Sequence, residues 1–162
     1  MPLVQETPQN RIERIVNTYS DTLLRIALHY TKNQSDAEDA LQTVYLKLLK
    51  TEQGFDSAEH EKAWLIRVTI NQCKDLLRSV WYKKTEALED SHKAKQQGEN
   101  FIVLDAVRAL DEKYRDIVFL YYYEGYGTNE IASMLEMRQG TVESRLFRAR
   151  EQLKKTLEGD WD

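Results

Sequence analysis

The chain has 162 residues, 41% of them hydrophobic and 31% charged, with a mean hydropathy of −0.65 and a net charge of −4. That allows one medium or two small packed domains. It excludes a membrane-spanning helix, since no stretch approaches the roughly 20 apolar residues a span requires.

Cys73 is the only cysteine, so neither an internal disulfide nor a multi-cysteine zinc site can form. His29, His60 and His92 lack metal-ligand spacing, and neither a metal nor a cofactor is expected. The opening segment MPLVQETPQNRIERI has no basic start followed by an apolar run. No secretory leader is therefore expected, and the chain reads as cytoplasmic. Six glycines and two prolines, both before residue 9, favour an all-α fold.

Apolar residues recur at helical spacing from about residue 11: Ile12, Ile15, Val16, Tyr19, Leu23, Ile26, Ala27 and Tyr30. After a break at Lys32-Asn33-Gln34, Ser35 fits an N-cap with Glu38 completing a capping box. Ala37, Ala40, Leu41, Val44, Tyr45 and Leu48 form the buried stripe of this second helix, which ends before Gly54. Residues 54–61 read as a polar loop, and a third helix runs from about Glu61 to Tyr82. Residues 83–100 carry many charges and one sizeable aliphatic, Leu88, as a linker does. Helical pattern resumes with Val103, Leu104, Val107 and Leu110, then Ile117, Val118, Leu120 and Tyr121 after a break at Asp111-Glu112-Lys113. Two more helical stretches, 128–137 and about 139–157, follow Gly125 and Gly127. The expectation is two small helical domains, of three and four helices, at 11–82 and 101–158.

Charge is unevenly distributed. Residues 36–61 are acidic, whereas 62–84 and 138–155 are basic, which suggests two separate contacts with a polyanion. On the third helix, Leu65, Val68, Thr69, Gln72 and Leu76 share one side at about 100° per residue. Arg67, Asn71, Lys74 and Arg78 share the other, mixing phosphate-binding cations with an amide able to read a base edge. Trp64 lies next to this stripe, and Trp81 and Tyr82 extend past its end; aromatics among cations suit unstacked bases. Trp64 also fits plain core packing.

In the last helix, Val142, Leu146, Ala149 and Leu153 form a narrow core stripe. Gly140, Ser144, Phe147, Arg148 and Glu151 face away from it, and an outward aromatic suits a thymine methyl or a sugar. Ile131, the small Ala132 and Leu135 supply the core of the preceding short helix. A short helix, a tight connection and a longer basic helix make a DNA-binding helix-turn-helix, with an ordinary helical hairpin as the alternative.

These residues resemble a known family. GTVESRLFRAREQLKK (140–155), preceded by YRDIVFLYYYEGYGTNEIASMLEM (114–137), is similar to domain 4 of bacterial sigma factors. DAEDALQTVYLKLLK (36–50) and HEKAWLIRVTINQCKDLLR (60–78) resemble domain 2. The pairing resembles the extracytoplasmic-function group, which keeps only these two domains and a linker. The resemblance implies that Asp36, Asp39, Gln42, Thr43 and Lys47 dock on the β′ clamp helices of core RNA polymerase, with the β flap as a further contact. It implies that Phe55, Asp56 and Ser57 hold a base flipped from the "−10" element, and that the third helix (Trp64, Arg67, Asn71, Lys74, Arg78) recognises and melts it. It assigns "−35" recognition to Glu143, Ser144, Arg145, Phe147 and Arg148. A cognate anti-sigma factor is a further implied partner. Two departures stand out: Leu110 is followed by Asp111 where the family often has proline, and Glu143 occupies a position that is often basic.

The implied activity is promoter-specific initiation by an alternative sigma factor, with no catalytic constellation of the chain's own. The alternative is a polymerase-independent helix-turn-helix regulator using residues 11–82 for sensing or dimerisation. A dimeric regulator favours palindromic sites, whereas the sigma reading requires an asymmetric two-part promoter. A purely protein-binding helical adaptor leaves Asn71 and the cationic stripe without a role.

Overall fold

The computed structural model describes residues 6–31, 33–51, 54–79 and 99–159. Over these it is all-α, with seven α-helices, one π-helical turn and no strand among the described residues. The expected linker lies outside the described residues except for Glu99 and Asn100, and so do Trp81 and Tyr82. The chain divides into two compact units, Met1–Leu77 and Arg78–Asp162.

In the first unit, α1 (Pro8–Tyr30) starts three residues before the expected position. Thr7 is the reason: its Oγ1 accepts the Asn10 N–H at 3.2 Å. Pro8, at the first helical position, has no N–H to leave unsatisfied. Helix α2 (Gln34–Lys50) packs along α1. Its cap is Asn33, not Ser35. Asn33 Oδ1 accepts the Asp36 N–H and its Nδ2 donates to Asp36 Oδ2, both at 2.8 Å. An amide two residues upstream offers a donor and an acceptor at once, and Ser35 is left exposed in the first turn.

Helix α3 (Ala58–Arg78) likewise begins earlier than expected, because Ser57 Oγ accepts the His60 N–H at 3.1 Å. This draws Glu61 into the helix, where it is fully buried. Arg14 of α1 answers it with two hydrogen bonds of 2.7 Å. The buried face of α3 is Glu61, Leu65, Ile66, Thr69, Ile70 and Cys73. That is about 50° around from the stripe expected from periodicity, and Val68 and Gln72 fall to its flank. Two polar contacts accompany this face. Glu61 meets Arg14, and Lys47 Nζ of α2 donates to Gln72 Oε1 at 3.0 Å. The buried Thr69 hydroxyl is satisfied by donating to the Leu65 carbonyl at 2.7 Å.

The second unit comprises α4 (Glu99–Arg108), α5 (Glu112–Val118), a π turn (Phe119–Tyr123), α6 (Thr128–Leu135) and α7 (Gln139–Gly159). Helices α4, α5 and α6 all pack against α7, which is the spine of the unit. Its core gathers Val107, Leu110, Tyr114, Ile117, Val118, Phe119, Leu120, Ile131, Met134, Val142, Leu146 and Ala149. Val103, expected on the buried stripe of α4, is 42% exposed. The π turn widens the helix by one residue, so Phe119 and Leu120 stay buried while Tyr122 and Tyr123 emerge. No helix among the described residues is long and apolar enough to cross a membrane.

Candidate nucleic-acid interface

The loop between α2 and α3 is shorter than expected and is organised around Phe55. That ring is 7% exposed. The Arg11 guanidinium covers it at 4.9 Å, and His60 and Trp64 stand against it at 5.3 and 5.5 Å. Phe55 therefore supplies an apolar floor to the loop. Asp56 is exposed, and its backbone N–H donates to His60 Nδ1 at 3.1 Å. Ser57 is half-buried, its hydroxyl spent on capping α3.

Trp64, Arg67, Asn71, Lys74 and Arg78 all lie on the side of α3 away from its buried face. Asn71 and Arg78 are exposed, and Trp64, Arg67 and Lys74 are half-buried. His60, one turn before Trp64, falls on the same side and is half-exposed at 49% of its side chain. Sequence reading passed it over as a loop residue. The signal was present in its spacing of four, seven and eleven residues from Trp64, Arg67 and Asn71.

On α2, Asp39 and Gln42 are exposed, and Asp36 is half-buried in its exchange with Asn33. Thr43 turns its hydroxyl back to the Asp39 carbonyl, and Lys47 reaches Gln72. In the midst of this polar stripe stand Leu46 and Leu49, 57% and 51% exposed. They lie off the Ala37–Ala40–Leu41–Val44–Leu48 face. A helix with two leucines beyond its core stripe was the available sign.

The second site is built by α6 and α7. Gly125 at φ +78° and Gly127 set the entry to α6, where the Gly127 N–H donates to Glu130 Oε1 at 3.2 Å. The chain then reverses through Glu136 in the left-handed region, with the Met137 N–H closing on the Ala132 carbonyl at 2.9 Å. Val142, Leu146 and Ala149 anchor α7, while Leu153 is half-buried. Gly140, Glu143, Ser144, Phe147, Arg148 and Glu151 are exposed, Phe147 at 62%. An aromatic so exposed, flanked by a hydroxyl and a guanidinium, gives α7 apolar, neutral polar and cationic reach on one face.

Beside that face runs an open groove of about 370 Å3, lined in part by Ser144, Arg145, Arg148 and Lys113 of α5. Three cations around one groove suit a backbone phosphate. Lys113 escaped sequence reading because it looked like part of a helix break. Further along α7, Arg150 donates to the Tyr122 hydroxyl and stacks over Tyr121 and Tyr122 at 5.6 Å. The bond to Tyr122 pushes its pKa up and secures its positive charge. No group of three or more His, Cys, Asp or Glu side chains among the described residues could hold a metal ion.

Comparison with known proteins finds a family match in each unit. The sigma-70 region 2 family matches residues 15–82, and the sigma-70 region 4 family matches residues 100–153. An RNA polymerase sigma-E factor of Streptomyces antibioticus is 33% identical over 156 residues, covering 90% of this chain and 84% of that protein. The ECF RNA polymerase sigma factor SigL of Mycobacterium tuberculosis is 28% identical, covering 89% and 87%. Among solved structures, the sigma factor RpoE of Bartonella quintana, in complex with the anti-sigma factor NepR, shares the fold. It has a TM-score of 0.66 and 21% identity, over 90% of this chain and 96% of that one. The chain belongs to the extracytoplasmic-function group of RNA polymerase sigma factors and directs promoter-specific transcription initiation as an alternative sigma factor.

Proposed function

We propose that the outward faces of α3 and α7 are the two promoter grips of this sigma factor. Residues 11–82 act as domain 2, 83–100 as the linker and 101–158 as domain 4. The observation that carries the reading is that, in both units, cations and base-reading polar groups stand opposite the buried stripe, exposed or half-buried. Arg67, Asn71, Lys74 and Arg78 grip and open the "−10" element, with Trp64 stacking on an unpaired base and the Phe55–Asp56–Ser57 loop holding another through exposed Asp56, over the buried Phe55 ring. Ser144, Phe147 and Arg148 read the "−35" element in the major groove, with Glu143 beside them and Arg145 and Lys113 on the phosphates.

Asp36, Asp39, Gln42, Thr43 and Lys47 dock on the β′ clamp helices of core polymerase, and exposed Leu46 and Leu49 supply the apolar centre of that contact. The second unit meets the β flap. The polymerase performs the chemistry, in the cytoplasm, and this chain supplies recognition alone. The partnership of Bartonella RpoE with NepR extends here to a cognate anti-sigma factor.

The deciding experiment is transcription by core polymerase reconstituted with this chain, with start sites mapped. Asn71→Ala lowers initiation from promoters altered only upstream as much as from intact ones, because it acts on the "−10" element. Arg148→Ala weakens dependence on the "−35" element. Leu46→Glu weakens core binding whatever the promoter. Unchanged promoter use by both Asn71→Ala and Arg148→Ala refutes the assignment.

A further inference from the structure

At the start of α7, Gln139 bridges the two helices of the helix-turn-helix. Its Nε2 donates to Thr128 Oγ1, in the first turn of α6, at 3.2 Å and to Glu143 Oε1, one turn along α7, at 3.3 Å. Both amide hydrogens are thereby used. What remains is Gln139 Oε1 and Glu143 Oε2, acceptors without a hydrogen-bond partner among the described residues, on two exposed side chains. This corner of the face offers no donor from either residue, in contrast to Arg148 five residues on.

Such a surface discriminates among base edges. In the major groove guanine presents two acceptors and thymine an acceptor and a methyl, so a carboxylate is repelled or unsatisfied by both. Adenine sets its N7 lone pair beside its amine. Cytosine alone presents an amine with no neighbouring acceptor on the same edge. We propose that Glu143, positioned by Gln139 and Thr128, selects cytosine through its N4 amine at one end of the upstream promoter element. This rests on the reading that α7 lies in the major groove of that element. It gives the acidic residue a role that a phosphate-contacting position cannot. An acidic side chain in the first turns of a helix also favours the helix dipole, but that effect is blind to base sequence.

The test uses holoenzyme, core polymerase plus the full chain, on a promoter library randomised across the upstream element. The wild type enriches cytosine roughly 5- to 100-fold at one position, the range of a single good base contact. Glu143→Ala flattens that position and leaves the others intact, while Gln139→Ala reduces the preference without abolishing it. Replacing the enriched cytosine by a 2-pyrimidinone that lacks the 4-amino group weakens initiation by the wild type but not by Glu143→Ala. An upstream preference that Glu143→Ala leaves unchanged at every position overturns the proposal while sparing the assignment of α7. Enrichment of guanine or thymine at the Glu143-sensitive position overturns it equally. Loss of all dependence on the upstream element in the wild type overturns both.

Discussion

Removing Arg14 and removing Glu61 should destabilise the first unit by very different amounts, although they are two ends of one ion pair. The Glu61 side chain is fully buried, whereas that of Arg14 remains 31% exposed. Arg14→Met leaves a carboxylate in the core without either of its 2.7 Å hydrogen bonds, a loss of about 3–5 kcal/mol. Glu61→Met leaves a guanidinium that water still reaches and that keeps Glu6 at 2.7 Å, so its cost is about 1–2 kcal/mol. With a urea slope near 1 kcal/mol per molar for so small a unit, Arg14→Met lowers the midpoint by about 1–4 M beyond Glu61→Met. The double variant recovers most of the loss, because the orphaned charge is gone. Urea titrations followed by helical circular dichroism read all three. Equal midpoints for the two single variants, or Glu61→Met as the less stable, refute the reasoning.

Three further outcomes follow. The hydrogen bond from Arg14 holds the Glu6 carboxyl below its ordinary range. A depressed carboxylate stabilises the fold above its unfolded pKa and loses that effect as pH falls through the folded value. Glu6→Gln therefore flattens the acid limb of stability against pH, and an unaltered limb contradicts this. Cys73 is wholly buried and its thiol is pushed up to about 12, so native protein resists iodoacetamide at pH 8 and reacts at the rate at which it opens. Labelling as fast as that of free cysteine rules this out. Glu136 occupies the left-handed region at φ 55° in the turn of the helix-turn-helix, and Glu136→Gly raises stability by about 0.5–1 kcal/mol by relieving it. A lowered melting temperature contradicts the strain.

The helix-turn-helix was legible because each of its requirements is local. A stripe of Val142, Leu146 and Ala149 has to be buried, and what stands opposite on a 3.6-residue period has to be exposed. The same logic put Asn71 and its cations opposite the buried face of α3. It erred where a contact distant in the chain competed with periodicity. Glu61 lies at the boundary expected between polar loop and helix, and only Arg14, 47 residues away, makes it a core residue. With Glu61 inside, the buried face of α3 takes in Ile66 and Ile70 and leaves Val68 and Gln72 at its flank. Ser35 lost the cap to Asn33 because two side-chain bonds outweigh one.

The amino-acid pattern alone determined that the chain is helical, that its charge is segregated onto two faces, and that one of them ends in a helix-turn-helix. Periodicity and composition are properties of neighbouring residues, and they survive without knowledge of what packs where. Only the tertiary structure decided the rotation of α3. It alone brought Lys113 to the groove beside α7 and tied Glu143 to Thr128 through Gln139. Each of these depends on residues from different helices meeting in space. Their free energies come from partners rather than from local spacing.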